Sequence, residues 1–423
     1  MSASNPDQTQ DAAVSEPTGE GAPVAPPARI ATLDVVRGVA LLGILLVNVH
    51  LFRGFDVGGL LEEEVERAHG ALDRGVEIFT GLFATGTSLG LFSLLFGLGI
   101  ALQFSRGRGG RVGTARLLIF QRMLWLLAIG YAHRQFAGVD ILVGYAILGL
   151  ILVLVAGPFV PPRPAWTRAL AGAGLVLLVG VGPVAANVGG PELGEGLFRE
   201  RSEAVQETLA AGGAGERVET RALEAIGSQG GRGFTIQILG WMLIGFGLGS
   251  SGRALEILRN PSSRFLALGV GAVGAGVVLR LGTALPVADP SPFRAPDGVG
   301  GLLAVVGSAL LVTGLGMTVA GLAARAWRAG RPLERLAAVG RMALSAYILQ
   351  SVLVEGAFLI PGAAEALGSA GSLLLVLGVW AVLLALCPWW MARFRFGPVE
   401  WLWRSLTYLR IQPLRIQRPR PTS

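Results

Sequence analysis

The residues of this chain best suited to proton transfer are its three histidines, His50, His69 and His133. Histidine titrates near neutral pH and is the usual general base of enzymes. Asp140 follows His133 by seven residues across a predicted tight hairpin, so a carboxylate can fix the imidazole tautomer and stabilise its charged form. His69 precedes Asp73 at a spacing that places both on one face of a helix. His133 with Asp140, and His69, are therefore the catalytic candidates, and the residues alone do not choose between the two histidines.

Metal binding is the alternative to this proton-transfer chemistry. The histidines show none of the HxxxH or HExxH spacings of metal sites, and there is no CxxC pair. We therefore predict no metal. The single cysteine, Cys387, also excludes an internal disulfide and so a disulfide-stabilised secreted scaffold.

A second group of candidates is cationic. Asp34 and Arg37 stand at i and i+3 at the start of the first apolar block, and Arg122 lies inside the third. The glycine-rich segment 106–111, followed by Arg116, can hold the phosphates of a nucleotide-like donor. The alternative is that these arginines meet anionic lipid and set the membrane topology. The segment lacks the Lys-Ser/Thr of a P-loop.

A third group opens the ninth apolar block. Arg341, Ser345, Tyr347, Gln350 and Ser351 are many polar groups for the start of one membrane helix. They either line a substrate site or join helices through hydrogen bonds within the membrane. The sequence leaves both interpretations open.

The elements that must position these residues follow from composition. The chain has 423 residues, 52% of them hydrophobic and only 15% charged, whereas soluble domains carry about 25% charged residues. Its mean hydropathy is +0.60. The apolar residues run in blocks of about 20, which is the length that crosses a bilayer as a helix. We therefore predict an all-α polytopic membrane bundle and exclude a soluble nucleic-acid binder despite the net charge of +7.

The hydropathy pattern predicts about ten membrane-spanning helices within a bundle domain at 29–395. The blocks are 35–52, 76–104, 114–136, 139–159, 169–190, 233–251, 264–286, 299–323, 337–360 and 370–392.

Three further segments complete the predicted organisation. Residues 1–28 are rich in Ala, Pro, Ser and acidic residues, which is typical of a disordered cytoplasmic tail. The polar connection 191–232 mixes charged and apolar residues like an amphipathic surface helix. The segment 396–423 combines tryptophans with arginines and predicts an interfacial amphipathic helix followed by a basic tail.

The orientation follows from the arginines. The chain has no lysine, and about two thirds of its 35 basic residues fall on the side that holds both termini. The positive-inside rule makes that side cytoplasmic. The bilayer, with anionic lipids at the cytoplasmic face, is then the expected partner. In this arrangement all three histidines fall at the outer face.

These residues also carry a family pattern. The chain resembles the YeiB-like bacterial membrane proteins, the domain-of-unknown-function 418 family, in five ordered motifs between residues 29 and about 410. The motifs are Thr32-Leu-Asp-Val-Val-Arg-Gly with its continuation to Asn48, Leu91-Phe-Ser-Leu-Leu-Phe-Gly-Leu-Gly99, Gly130-Tyr-Ala-His133 with Asp140 and Tyr145-Ala, Gly340-Arg-Met-Ala-Leu-Ser-Ala-Tyr347, and Phe396-Gly-Pro-Val-Glu-Trp with its continuation to Tyr408. The resemblance implies a multipass protein of the bacterial cytoplasmic membrane.

The family is in turn distantly similar to transmembrane acyltransferases, including the heparan-α-glucosaminide N-acetyltransferases. This similarity implies transfer of an acyl group from a cytoplasmic acyl-coenzyme A co-substrate to a small-molecule or envelope-polymer acceptor outside, with no bound cofactor. His69 matches the position of the active histidine of those enzymes, whereas His133 and Asp140 match the YeiB-like pattern, and we favour His133. The substrate-binding candidates are Asp34, Arg37, Asn48, Arg122, Tyr145, Arg341 and Tyr347.

Two other functions remain as alternatives. A transporter or exporter of a small metabolite or lipid would use the same polar residues to line a path, but the sequence shows no internal symmetry of the kind common in carriers. A non-enzymatic envelope protein would need none of the histidines.

Overall fold

The structure is a computed structural model, and it describes residues 30–52, 71–83, 86–106, 112–135, 137, 140–156, 164–181, 231–284, 298–330, 333–358, 360 and 367–416. The predicted tail 1–28 and most of the predicted amphipathic connection 191–232 lie outside these residues. From Ala31 onward the chain forms one compact unit.

The described residues form fourteen α-helices, which confirms the predicted all-α architecture. They are α1 (Ala31–Phe52), α2 (Ala71–Phe83), α3 (Thr87–Arg106), α4 (Val112–Arg134), α5 (Leu142–Ala156), α6 (Pro164–Val176), α7 (Gly231–Ser250), α8 (Gly252–Arg259), α9 (Ser263–Ala284), α10 (Gly298–Arg328), α11 (Glu334–Arg341), α12 (Ala343–Phe358), α13 (Ser369–Met391) and α14 (Pro398–Thr407). A π-helical turn, Leu177–Val181, extends α6.

The described residues contain fewer long apolar helices than the ten spans that the sequence predicts. Within the described residues, six helical segments are long and apolar enough to cross a membrane, or up to eight if each of two sharply bent helix pairs forms one span. Two further apolar helices, Leu142–Val155 and Arg168–Val179, are shorter. The count of about ten is therefore not confirmed, because hydropathy finds apolar stretches but cannot see where a helix bends or stops short.

The two bends change the predicted architecture most. Thr235–Ser250 turns by 87° into Gly252–Arg259, and Glu334–Arg341 turns by 89° into Ala343–Phe358. The predicted span 337–360 is therefore not one continuous helix. Its first part is the separate amphipathic helix α11, which buries Ala337 to Gly340. The break lets α12 begin in the interior of the protein.

Helix α1 is the centre of the bundle. Leu41 and Leu45 are fully buried and share one apolar cluster with side chains of α11, α12 and α13. The backbones of α1 and α11 meet at two glycines, because a Cβ on Gly38 would overlap the Leu336 carbonyl and one on Gly340 would overlap the Asp34 carbonyl. Only glycine permits so close a helix crossing, so these two positions fix where α11 lies on α1.

Helices α9 and α10 form a peripheral hairpin. Only 17% of the most apolar stretch of α9 and 22% of that of α10 are buried inside the protein. Leu268, Val278 and Leu322 are all at least half exposed. Large apolar side chains exposed along whole helices need a non-aqueous surrounding, so these surfaces fit a position against lipid.

Candidate functional site

His133 and Asp140 form a buried hydrogen-bonded pair where α4 ends and α5 begins. The Nδ1 atom of His133 lies 2.8 Å from Oδ1 of Asp140, and His133 is 1% exposed. The other carboxylate oxygen accepts a hydrogen bond of 2.8 Å from the backbone N–H of Val143. Asp140 therefore caps α5 and contacts the imidazole at the same time. The predicted pairing of His133 with Asp140 across the hairpin is present in the structure.

Tyr347 of α12 joins this pair. Its ring centroid lies 5.1 Å from that of His133, and its hydroxyl accepts a hydrogen bond of 3.2 Å from the backbone N–H of Ile141. The sequence analysis placed Tyr347 near the cytoplasmic end of a continuous span and His133 at the outer face. The structure brings them into contact, because α12 begins at the bend after α11 and because α5 has only 15 residues.

The pair has the geometry of an oriented general base. Because the Asp140 carboxylate contacts Nδ1, it favours the imidazole tautomer that carries the ring proton on Nδ1. Nε2 is then the ring atom available for a proton transfer. Asp140 would then stabilise the imidazolium that forms. The same contacts also stabilise the hairpin between α4 and α5, which is the purely structural explanation of the pair.

Asn48 is the fourth polar residue of the cluster. It lies on α1, is 4% exposed, and its side chain lies near that of Tyr347. This cluster of His133, Asp140, Tyr347 and Asn48, called here the imidazole cluster, combines residues of α1, α4, α12 and the turn before α5.

Tyr145 lies close to the imidazole cluster but is fully engaged by protein. Its hydroxyl is 2.6 Å from the Ser93 hydroxyl and donates to the Leu89 carbonyl at 3.2 Å. Phe92 and Phe96 pack edge-on against its ring. These contacts join α5 to α3, so Tyr145 positions the helix that carries Asp140.

The predicted cationic residues lie at a different level of the bundle. Arg37 contacts Asp34 at 3.1 Å and the Gly340 carbonyl at 3.5 Å, beside Arg341 at the end of α11. Arg37 precedes Asn48 by eleven residues on α1, which is about 16 Å along the helix axis. The structure therefore separates these arginines from the imidazole cluster.

Arg122 occupies a corresponding level on α4. Its guanidinium stacks over the Trp403 ring at 4.3 Å, and the Trp403 indole donates to the Arg122 carbonyl at 2.7 Å. Arg122 also precedes His133 by eleven residues, again about 16 Å along the helix. Two helices thus place arginines at the same spacing from the imidazole cluster.

Sequence analysis gave no role to Glu400, which ties α14 to the start of α12. Its carboxylate accepts hydrogen bonds from the backbone N–H groups of Leu344 at 2.7 Å and Ser345 at 3.1 Å, and from the Ser345 hydroxyl. The Ser345 hydroxyl in turn accepts from the Val399 N–H at 2.9 Å. Each helix therefore caps the other.

This contact explains an otherwise difficult position for α12. Helix starts carry unsatisfied N–H groups, and α12 begins after the bend at Met342, whose thioether side chain offers no oxygen to cap them. Burial raises the pKa of the Glu400 carboxyl above its ordinary value, although the hydrogen bonds from α12 oppose the shift. The Gly-Pro-x-Glu pattern at 397–400 is a helix-start signal that could have identified it.

Arg280 is a second residue that sequence analysis missed. It lies within α9, donates to the Ser308 hydroxyl at 2.7 Å and to the Gly81 carbonyl at 2.9 Å, and so joins the α9–α10 hairpin to the end of α2. An arginine inside an apolar helix is a sequence signal for such a contact, because a charged side chain there needs specific partners.

Some predicted residues cannot be placed. His69 and most of the glycine-rich segment 106–111 lie outside the described residues, as does the side chain of His50. Asp73, the predicted neighbour of His69, accepts a hydrogen bond of 2.8 Å from Ala370 N–H at the start of α13. Among the described residues, no three histidine, cysteine, aspartate or glutamate side chains are grouped so that they could hold a metal ion.

The apolar helices, their lipid-compatible surfaces and the buried polar cluster define a multipass helical membrane protein. A family profile described as "Protein of unknown function (DUF418)" matches residues 253–410. The chain is 28% identical to the uncharacterized protein YeiB of Escherichia coli over 403 residues, which covers 90% of this chain and 96% of YeiB.

Two Bacillus proteins are similar to nearly the same extent. The uncharacterized protein YxaH of Bacillus subtilis is 27% identical over 91% of this chain and 96% of its own length. An uncharacterized 39.9 kDa protein from the amylase 3′ region of Bacillus acidopullulyticus is 27% identical over 94% and 99%. No solved structure matches. The chain is thus a homologue of YeiB and YxaH with a DUF418 region, which confirms the resemblance that its motifs indicated.

Proposed function

We propose that this protein is an integral-membrane acyltransferase that moves an acyl group from a cytoplasmic acyl-coenzyme A to an acceptor at the outer face. The observation that carries the proposal is the buried contact of His133 with Asp140 beside Tyr347. Burying an ionisable pair inside an apolar bundle is costly, and such pairs are concentrated at functional sites.

The reaction needs one general base and one general acid, and His133 serves as both in turn. Its Nε2 takes the proton from an acceptor hydroxyl or amine as that atom attacks the thioester carbonyl. When the tetrahedral intermediate collapses, the C–S bond breaks and the imidazolium returns the proton to the departing thiolate. The acceptor gains the acyl group and coenzyme A leaves as the free thiol.

The spacing of the arginines suits a donor with a long arm. Coenzyme A carries its phosphates and its thioester at opposite ends of a flexible chain. Arginines near Arg37 and Arg122 can hold the phosphates. The thioester would then reach about 16 Å further along α1 and α4 to the imidazole cluster.

We extend the proposal to topology: about ten crossings of the bacterial cytoplasmic membrane with both termini in the cytoplasm. The short helices Leu142–Val155 and Arg168–Val179, together with the two bent pairs, supply the crossings beyond the six long helices. Single cysteines introduced near each terminus, in a Cys387→Ala background, should react with a membrane-impermeant maleimide only after the cells are opened. Labelling of either terminus in intact cells contradicts this orientation.

Two assays test the activity. Purified protein in lipid nanodiscs should consume labelled acetyl-coenzyme A. In a deletion strain, mass spectrometry of lipids and glycans should show that one acyl modification is missing. No turnover with acetyl- or longer acyl-coenzyme A, together with an unchanged set of acyl marks, contradicts the proposal.

A transporter is the second candidate, and the two sharply bent helix pairs favour it. Helices interrupted near the middle of a bundle form the substrate sites of many carriers. The separation at Met342, between α11 and α12, is such an interruption beside a polar cluster. Flux of an unmodified solute in proteoliposomes, without consumption of acyl-coenzyme A, would favour transport. If replacing His133 and His69 affects neither activity nor flux, a non-enzymatic envelope role remains.

A further inference from the structure

Gln350 is a fully buried amide without hydrogen-bond partners. It lies on α12, is 0% exposed, and neither its Oε1 nor its Nε2 atom contacts a donor or acceptor of the described residues. The Nδ2 atom of Asn48 is in the same state at 4% exposure. A buried polar atom without a partner costs about 1–3 kcal/mol, so native proteins retain few of them.

The two amides share Tyr347 as a neighbour. Gln350 follows Tyr347 by three residues on α12, so the two side chains lie on adjacent parts of one helix face. Asn48 lies on α1 near the Tyr347 side chain. Because the Tyr347 ring lies 5.1 Å from that of His133, the unsatisfied amides border the imidazole cluster.

Several buried polar groups of this bundle are paired, although the hydroxyl oxygens of Thr80, Thr318 and Ser372 are buried without a partner among the described residues. Gln350 differs from these in that both polar atoms of its amide are unpaired. The Tyr145 hydroxyl contacts both Ser93 and the Leu89 carbonyl, and the Ser351 hydroxyl donates to the Tyr347 carbonyl at 3.1 Å. Polar residues that only join helices would be expected to pair in this way. The amide of Gln350 does not follow this pattern.

We propose that Gln350 and Asn48 bind an uncharged, hydrogen-bonding acceptor, of the polyol or amide class, next to His133. Carboxamides offer both donors and acceptors, which complement hydroxyl and amide groups. An ionised ligand would need a buried counter-charge, whereas Arg37 and Arg122 lie about 16 Å from the cluster along their helices and Arg134, which follows His133, is only half-buried.

The proposal deepens the acyltransferase hypothesis because it names the acceptor class for that reaction. Binding itself does not require the reaction to occur. The binding proposal and the acyltransferase hypothesis can therefore fail separately, and different measurements test them.

The first experiment measures the thermal stability of the purified full-length protein without ligand. Gln350→Met removes the amide but keeps an unbranched side chain of similar length, and Gln350→Leu is the second variant. Both should unfold at or slightly above the wild-type temperature, because an apolar group loses no hydrogen bond. The matched control Tyr145→Phe removes satisfied hydrogen bonds and should unfold several degrees lower. A fall in Gln350→Met as large as that of Tyr145→Phe identifies a structural amide and overturns the proposal.

The second experiment measures the shift in unfolding temperature with inositol, with a simple amide such as acetamide, and with inositol monophosphate. Inositol or acetamide at millimolar concentration should stabilise the wild type and lose at least most of this effect in Gln350→Met. If neither neutral compound stabilises the wild type, the proposed ligand class is wrong. It is also wrong if inositol monophosphate gives a larger shift in unfolding temperature that persists in Gln350→Met.

The variant His133→Ala separates binding from reaction. If it keeps the shift given by the neutral compound, the amide site binds independently of catalysis. If the wild type shows this shift but no acyl transfer, the acyltransferase hypothesis is wrong while the binding site stands. If the wild type transfers acyl groups but Gln350→Met leaves KM for the acceptor unchanged, the binding proposal is overturned.

Discussion

The rings of His133 and Tyr347 lie 5.1 Å apart, although hydropathy assigns them to separate spans, His133 to the outer end of one and Tyr347 to the first half of another. The contact exists because α12 begins at a bend of 89° and because Asp140 starts the short helix α5 close to it. A polar site inside the bundle, between arginines on one side and the acceptor on the other, is the arrangement that our proposal needs.

Asp140 makes two contacts, with His133 and with the Val143 N–H, that substitution can separate. Asp140→Asn keeps an oxygen that can accept from the Val143 N–H but loses the negative charge beside His133. We expect little change in stability but loss of much of the 10²–10⁴-fold contribution of a general base. Asp140→Ala should also destabilise the protein by about 0.5–2 kcal/mol, because the cap of α5 is lost. Equal activity in Asp140→Asn and wild type would show that the carboxylate serves only α5.

Tyr347→Phe tests whether the tyrosine hydroxyl holds the start of α5. The substitution keeps the ring beside His133 but leaves the partly buried Ile141 N–H without its acceptor. We expect a loss of about 0.5–1.5 kcal/mol in the free energy of unfolding. Denaturant titration in mild detergent measures this loss, and an unchanged midpoint would mean that the hydrogen bond contributes nothing.

The pH dependence of stability should report on Glu400. Burial raises its pKa above the ordinary 4.5 in the folded protein. Folding therefore favours the protonated Glu400 carboxyl. Its contribution to the free energy of unfolding is complete below pH 4.5 and is lost as the pH rises through the raised pKa. Unfolding temperatures of the wild type should fall relative to those of Glu400→Gln as the pH rises from 4.5. Parallel profiles for the two proteins would contradict the raised pKa.

The crossing of α1 and α11 should not tolerate a methyl group. Gly340→Ala forces a Cβ against the Asp34 carbonyl, so we expect destabilisation of at least about 1–3 kcal/mol. Gly274→Ala is the matched control, because a Cβ there meets no atom within 4 Å and alanine favours a helix by about 0.5–1 kcal/mol. Thermal unfolding of both variants measures the contrast, and equal stabilities would be inconsistent with the close crossing.

The sequence predicts the all-α membrane fold class and the contact of His133 with Asp140. Long apolar blocks identify helices such as α1, α9, α10 and α13, because membrane spans are encoded locally by hydropathy. The pairing of His133 with Asp140 is predictable because a tight turn between two helices brings residues seven apart together.

The bends and the long-range contacts are not predictable from one sequence. The contact of Glu400 with Ser345, 55 residues apart in the chain, depends on how α14 folds back on α12. The bend at Met342 is set by the packing of α11 on Gly38, which local propensity does not encode. Hydropathy therefore merged α11 and α12 into one span and placed Tyr347 away from His133.

The most direct test of the proposal measures transfer or hydrolysis of labelled acetyl-coenzyme A by the wild type and by His133→Ala, His69→Ala and Arg253→Ala in lipid nanodiscs. Arg253 lies on the exposed helix α8 and serves as the control. We predict that His133→Ala remains folded and loses about 10²–10⁴-fold in rate, while Arg253→Ala retains the wild-type rate. A wild-type rate in folded His133→Ala would contradict the assignment of His133 as the base, and a simultaneous loss in His69→Ala would move that role to His69.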